Sequence, residues 1–167
     1  MFKHLIFLLV LFISIPSLAS DTSYQLQIQL TIPKLEVDPY HKPFIAIWLE
    51  TPKRKGKQTL AVWYDDEEWL KDLRQWWRKL GRRDSLQGNA KEFDGASGAT
   101  RRPGSYTLNY TTQALTPGDY VLHIEASRES GGREHLKQAI YLGKEQQTFT
   151  LSGQHELGDI TITVLSQ

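Results

Sequence analysis

Two short segments of this chain are apolar on both of their faces. In FIAIWLE, Phe44, Ala46 and Trp48 fall on one side of an extended chain, and Ile45, Ile47 and Leu49 on the other. QTLAVWY, from Gln58 to Tyr64, repeats the pattern, with Leu60 and Val62 opposed to Ala61 and Trp63. Side chains of a strand alternate between its two faces, so a strand apolar on both must be covered on both. A lone sheet with one wet side is excluded; a layer is required above and another below. The polar, glycine-containing TPKRKGK between the two segments predicts a hairpin.

The remaining strands carry the simpler half-buried pattern. Tyr24, Leu26, Ile28, Leu30 and Ile32 occupy every second position, with Gln25, Gln27, Gln29 and Thr31 between them, and Pro33 ends the run. A loop punctuated by Pro39 and Pro43 follows. SYTLNY, QTFTL and GDITITVL alternate in the same way, and Ala99–Arg102 reads as a short strand or the approach to the Pro103-Gly104 turn. About eight short strands with turn chemistry between them predict an immunoglobulin-like or fibronectin-like β-sandwich. The cysteine pair of a true immunoglobulin domain is missing, so this names an architecture and not a superfamily.

The second cover comes from DDEEWLKDLRQWWRKLG. Trp69, Leu73, Trp76 and Leu80 recur at helical spacing, with Leu70 and Trp77 widening the stripe. Asp65 or Asp66 caps the start, Arg78 and Lys79 lie in the last turn, and Gly81 is the expected stop. The predicted place for this amphipathic helix is the outer face of the sheet holding Trp48 and Trp63. Burying each Trp side chain contributes roughly 2–3 kcal/mol, reason enough for the aromatic stripe without a ligand. RRDSLQGNAKEFDGASG, polar and without period, is a long loop.

The first residues read as an address. Lys3, an apolar run from Leu5 to Ile15, Pro16 and small residues at Ser17 and Ala19 make the three parts of a secretory signal peptide, with cleavage after Ala19. The run is shorter than the roughly 20 residues of a membrane span. Residues 20–167 then form one β-sandwich domain, exported to a periplasm and not membrane-spanning once processed. The chain has no cysteine, so disulfides and thiolate metal sites are excluded. Loss of Lys3 removes the chain's single excess positive charge, and the balanced remainder argues against nucleic acid as a partner.

The densest cluster of His, Glu and Arg lies in DYVLHIEASRESGGREHLKQAIYL, Asp119 to Leu142, two strands joined by a glycine turn. Placing Tyr120, Leu122, Ile124 and Ala126 with Leu136, Ile140 and Leu142 on the core side predicts pairings 120–142, 122–140 and 126–136, and a loop of Ser130, Gly131 and Gly132. Glu125 then faces Lys137, Glu129 faces Arg133, Ser127 faces His135 and His123 faces Ala139 on a solvated outer face. An alternative reading of that face is a metal or haem site of His123, Glu125 and His135. Arg128 falls on the core side, opposite Glu134. If Arg101 and Arg102 reach the same end of the sandwich, an anion-binding corner forms there; the alternative for Arg128 is a purely structural ion pair. No nucleophile elbow, zinc-protease motif or phosphate loop is present, so an enzyme is the minority reading, and the residues name no cofactor.

The order PYHKPFIAIWLE, TLAVWY, DLRQWW, SGATRRPGSY and LTPGDYVLHIEASRESG resembles a bacterial periplasmic family, domain of unknown function 2271, over roughly Tyr24 to Val164. The resemblance implies export and a single β-rich domain. It also implies association with PepSY-type membrane reductases linked to flavin or haem, and with flavin transferases, a setting of redox or iron metabolism. Positions matching its most specific segments are Thr100, Arg101, Arg102, Pro103, Gly104, Glu125, Arg128 and Glu129. Two functions follow as expectations. One is a non-enzymatic accessory or binding module for such a redox partner. The other is a carbohydrate- or envelope-binding sandwich that stacks sugars on exposed tryptophans.

Overall fold

The computed structural model describes residues 22–83, 96–112 and 115–165. The leader and its cleavage site, and most of the long loop after Arg83, lie outside the described residues. Nine strands build two sheets: β1 (Gln25–Ile32), β2 (Phe44–Glu50), β3 (Gly56–Trp63), β4 (Ser97–Gly98), β5 (Gly104–Thr111), β6 (Gly118–Ser127), β7 (Arg133–Leu142), β8 (Gln147–Ser152) and β9 (Asp159–Val164). One sheet runs β5-β1-β9-β8 and the other β4-β3-β2-β6-β7. All pairings are antiparallel except β3 with the two-residue β4. This is the mostly β sandwich that two doubly apolar strands require.

The main core lies between the sheets. Leu26, Ile28, Leu30 and Ile32 of β1 and Ile160, Ile162 and Val164 of β9 meet Ile45, Ile47 and Leu49 of β2 and Leu122, Ile124 and Ala126 of β6. The outer face of the first sheet is the wet one that alternation predicts: Gln27 sits between Asn109 and Thr163, and Gln29 between Thr107 and Thr161.

A second core covers the outer face of the other sheet, where Phe44, Ala46, Trp48 and Val62 pack against Leu70, Leu73, Trp76 and Leu80. The helical cover is on the expected sheet, with Trp48 beneath it. Trp63 points the other way, into the main core, with its ring edge against Tyr106.

The cover is not the single continuous helix expected from the stripe. A 3-10 turn (Glu67–Asp72), capped by the Asp66 carboxylate on the Glu68 amide at 2.9 Å, breaks at Leu73, whose ψ is 67°. An α turn, α1 (Arg74–Trp76), follows, and then a π turn over Trp77–Gly81. Gly81 does not stop the helix, because Arg82 is still helical. Its role is close approach: a Cβ there would lie 2.6 Å from the Trp76 ring.

The β6–β7 register also differs from expectation. Tyr120 pairs with Ile140, Leu122 with Gln138 and Ser127 with Arg133, a slip of two residues that leaves every side chain on its predicted face. The connection is therefore five residues, Arg128–Gly132. It closes through Arg128 N–H to the Gly132 carbonyl at 3.1 Å and Gly131 N–H to the Arg128 carbonyl at 3.0 Å. Ser130, at φ 51°, takes a left-handed conformation that usually falls to glycine. The glycines serve packing instead: a Cβ on Gly131 would meet the Arg128 guanidinium, and one on Gly132 the Glu156 carboxylate.

Candidate functional site

Antiparallel pairing sets the outward residues of β2, β6 and β7 in rows. Trp48, His123 and Lys137 form one row; Glu50, Val121 and Ala139 form the next. The first is bulky and the second has small apolar groups at two of its three positions, so a step opens between them. The second half of the helical cover and the turn after β2 close the other sides. The result is a cleft of about 570 Å³ lined by Trp48, Glu50, Thr51, Pro52, Arg54, Gln75, Arg78, Lys79, Val121, His123, His135, Lys137 and Ala139.

Three nearly parallel rings make its aromatic wall. The His123 and His135 imidazoles lie 8° from parallel and are joined at their edges, Nδ1 of His123 to Nε2 of His135 at 2.9 Å. Both stack on the Trp48 indole, at centroid distances of 4.8 and 5.5 Å. The indole N–H donates to Glu50 Oε1 at 3.1 Å, and Lys79 Nζ lies 3.4 Å from Glu50 Oε2 and 2.8 Å from the Arg54 carbonyl. His123 Nε2 is 3.7 Å from the same carboxylate.

Burial pushes the His123 pKa down to about 4, more than the Glu50 carboxylate raises it; His135 and the Lys137 and Lys79 cations add to the downward push. His135 moves down for the same first reason, with Lys137 next. Both shifts favour the neutral imidazoles, and in that form one ring donates to the other across the 2.9 Å contact.

Glu125 and His123 do not lie on a solvated face. Glu125 is 0 % and His123 8 % exposed, because the helical cover extends over β6. Glu125 faces His135 in register, not Lys137, and His123 faces Lys137, not Ala139. Both Glu125 oxygens are engaged at the break in the helix, accepting from the amides of Gln75 (3.1 and 3.0 Å) and Trp76 (2.9 Å). Burial raises the Glu125 pKa, and those amides oppose the rise. Of the three residues expected at a metal or haem, only the two histidines are joined. Among the described residues, no group of three or more His, Asp or Glu side chains is arranged to hold a metal ion.

The turn segments that hold Thr100–Gly104 and Arg128–Glu129 lie away from this cleft. Arg128 does not face Glu134; it forms a two-pronged ion pair with Glu156 of the β8–β9 loop, at 3.0 and 3.1 Å. Glu156 also accepts from the Gly132 amide at 2.9 Å. Glu134, paired with Ala126 in register, accepts from the amides of Gln154, His155, Glu156 and Leu157. Burial alone would raise its pKa, but the four amides together hold it low.

Arg101 lies over the Trp63 ring at 4.0 Å and the Tyr106 ring at 5.0 Å. Thr100 donates its hydroxyl to Asp65 at 2.6 Å, and Lys42 pairs with the same carboxylate at 3.3 Å. Glu129 pairs with His41 at 3.3 Å and shares a cavity of about 210 Å³ with Lys42 and Asp65. Arg102 and Pro103 line a different cavity, of about 560 Å³, with Lys34, Tyr40 and Lys42. Thr100, Arg101, Arg102, Arg128 and Glu129 are thus spread over separate contacts, and Arg101 and Arg128 are each matched within the protein.

Sequence reasoning found His123 and His135 but missed Glu50, Arg54, Arg78 and Lys79. The available signal was Glu50: a carboxylate ending a strand apolar on both faces must find a buried partner. The tryptophans offer no open platform. Trp48, Trp63 and Trp76 are buried, and Trp69 and Trp77 are half-buried against the second core. The carbohydrate alternative is left with Trp69 and Trp77 alone as partly exposed rings.

Fold and cleft together define a β-sandwich domain carrying a polar, aromatic-walled site on one sheet. The chain belongs to the family described as predicted periplasmic protein (DUF2271), whose model matches residues 25–159. That agrees with the exported location read from the sequence, and no helix among the described residues is long and apolar enough to cross a membrane. No curated protein and no solved structure matches the chain.

Proposed function

We propose that the chain is a non-enzymatic periplasmic accessory module that binds a small ligand in the cleft beside Trp48, His123 and His135. In this reading it serves a membrane-bound redox or iron-handling system linked to flavin or haem. The observation that carries the binding reading is the cleft. At about 570 Å³ it falls within the range of small-molecule sites, and its charged and hydrogen-bonding side chains converge on one recess beside a stack of aromatic rings. The wall is held rigid from behind, because Trp48 is fixed to Glu50 and Glu50 to Lys79. The redox setting rests on the family resemblance, which implies PepSY-type reductases and flavin transferases as neighbours.

Native mass spectrometry of protein released from the periplasm tests the binding reading, with titrations of haem, ferric chelates and divalent metals beside it. The expected result is a bound small molecule that Trp48→Leu or His123→Ala sheds. Wild-type protein that carries nothing and binds nothing would overturn it. Cross-linking in cells tests the redox setting, which fails if no flavin- or haem-bearing membrane protein is captured.

A further inference from the structure

The charges around the cleft are unequal. Arg54, Arg78, Lys79 and Lys137 line it, against one carboxylate, Glu50. Lys79 is matched by Glu50. No carboxylate among the described residues pairs with the other three, although Arg78 donates to the neutral Gln75 side chain. The chain as a whole is close to neutral, so this local excess does not reflect a general basic character. Like charges gathered around a recess with low-dielectric walls focus a positive potential into it. A neutral ligand would leave the three cations repelling one another and a cation would add to the repulsion, whereas two negative charges offset most of the excess and leave one cation to the solvent.

We infer that the cleft takes a small organic dianion, held by Arg54, Arg78 and Lys137 against the Trp48–His135 wall. This rests on the cleft being a binding site and adds the chemical class of its ligand. The lining sets the shape: His135 is the ring open to the ligand, with the buried Trp48 indole stacked against it, the floor of Val121 and Ala139 is apolar and short, and the cations form the rim. A dianion with a compact carbon skeleton places its apolar part on the floor and its charges at the rim. His135, exposed at that rim and carrying a ring nitrogen not used by His123, adds a neutral hydrogen-bonding group. Protonating it would strengthen the hold on the anion, so binding should tighten as pH falls. Glu50, Glu125 (opposite His135 in register), Lys79, Lys137, Arg78 and Arg133 are the charged and titratable groups around the pair and must be kept when this is measured.

The test uses the mature full-length chain with succinate and phosphate as dianions, glucose as the neutral probe and choline as the cation. Titration is followed through the His123 and His135 ring resonances, which place binding in the cleft. Succinate should move both sets of resonances; phosphate moving them in its place would show that the carbon skeleton plays no part and would overturn the organic class. Lys137→Gln should weaken the dianion about three- to tenfold, and Lys137→Glu more, since a close charge pair is commonly worth about a factor of ten. Lys144→Gln, on the exposed β7–β8 turn, should change nothing. If glucose or choline moves the resonances and the dianions do not, the anion class fails while the binding site stands. If none of the four moves them, both fail.

Discussion

The Arg128 guanidinium grips the Glu156 carboxylate with Nε and Nη2, at 3.0 and 3.1 Å, and so ties the β6–β7 loop to the β8–β9 loop. Both side chains are nearly buried. A buried pair is worth little against well-packed apolar groups, but breaking it strands a charge. Arg128→Ala should therefore lower stability by about 3–5 kcal/mol, and Arg128→Met with Glu156→Leu by clearly less. Urea unfolding of Arg128→Ala, Glu156→Ala and the double variant decides it. Equal losses in all three would show that the pair does not act as a unit.

Glu125 holds the start of α1 through the Gln75 and Trp76 amides. Glu125→Ala should cost about 1–3 kcal/mol, because it leaves buried donors without an acceptor. Hydrogen exchange is the more specific readout. The amides of Gln75 and Trp76 should lose protection well before those of β6, whose ladder the substitution does not touch.

The His123 imidazole sets a dependence of stability on pH. Its folded pKa, about 4, lies below the ordinary 6.5, so between those values the unfolded chain binds more protons than the folded one. Its share of stability is complete above the upper value and is lost as pH falls through the window. Glu125, raised by burial, acts in the opposite sense, because protonating it relieves a buried charge. Comparing variant with wild type isolates the histidine: His123→Asn should flatten the decline between pH 7 and pH 4.5 by about 1–3 kcal/mol. A parallel decline in both proteins would remove His123 as its source.

Gly81 separates two effects of opposite sign. Helix propensity alone favours alanine over glycine by roughly 1 kcal/mol. Here the added Cβ meets the Trp76 ring at 2.6 Å, and Trp76 is fully buried. Gly81→Ala should therefore destabilise the domain by about 1–3 kcal/mol, as overpacking does. A rise in melting temperature would show that the ring can shift at little cost.

Local pattern determined much of this protein. Leu26, Ile28, Leu30 and Ile32 sit on the core face because the period of a strand is two residues, and no neighbour is needed to say so. Phe44 to Leu49 demanded two covering layers, and the stripe of Leu70, Leu73, Trp76 and Leu80 supplied the outer one. The faces of the β6–β7 hairpin were legible too, since a slip of two residues preserves them. Its register was not. The five-residue loop is held by Arg128 on Glu156, a partner 28 residues away whose approach depends on how the two sheets meet. The site was hidden for the same reason. His123 and Glu125 looked like surface residues until the helical cover broke at Leu73, spread over β6 and offered two amides to Glu125. Glu50, Arg54, Arg78 and Lys79 reach one cleft from two stretches of chain that no periodicity connects. Alternation fixes which side of a strand a residue faces. What stands opposite that side depends on long-range packing, and here packing decided which charges were matched and which were left around an open cleft.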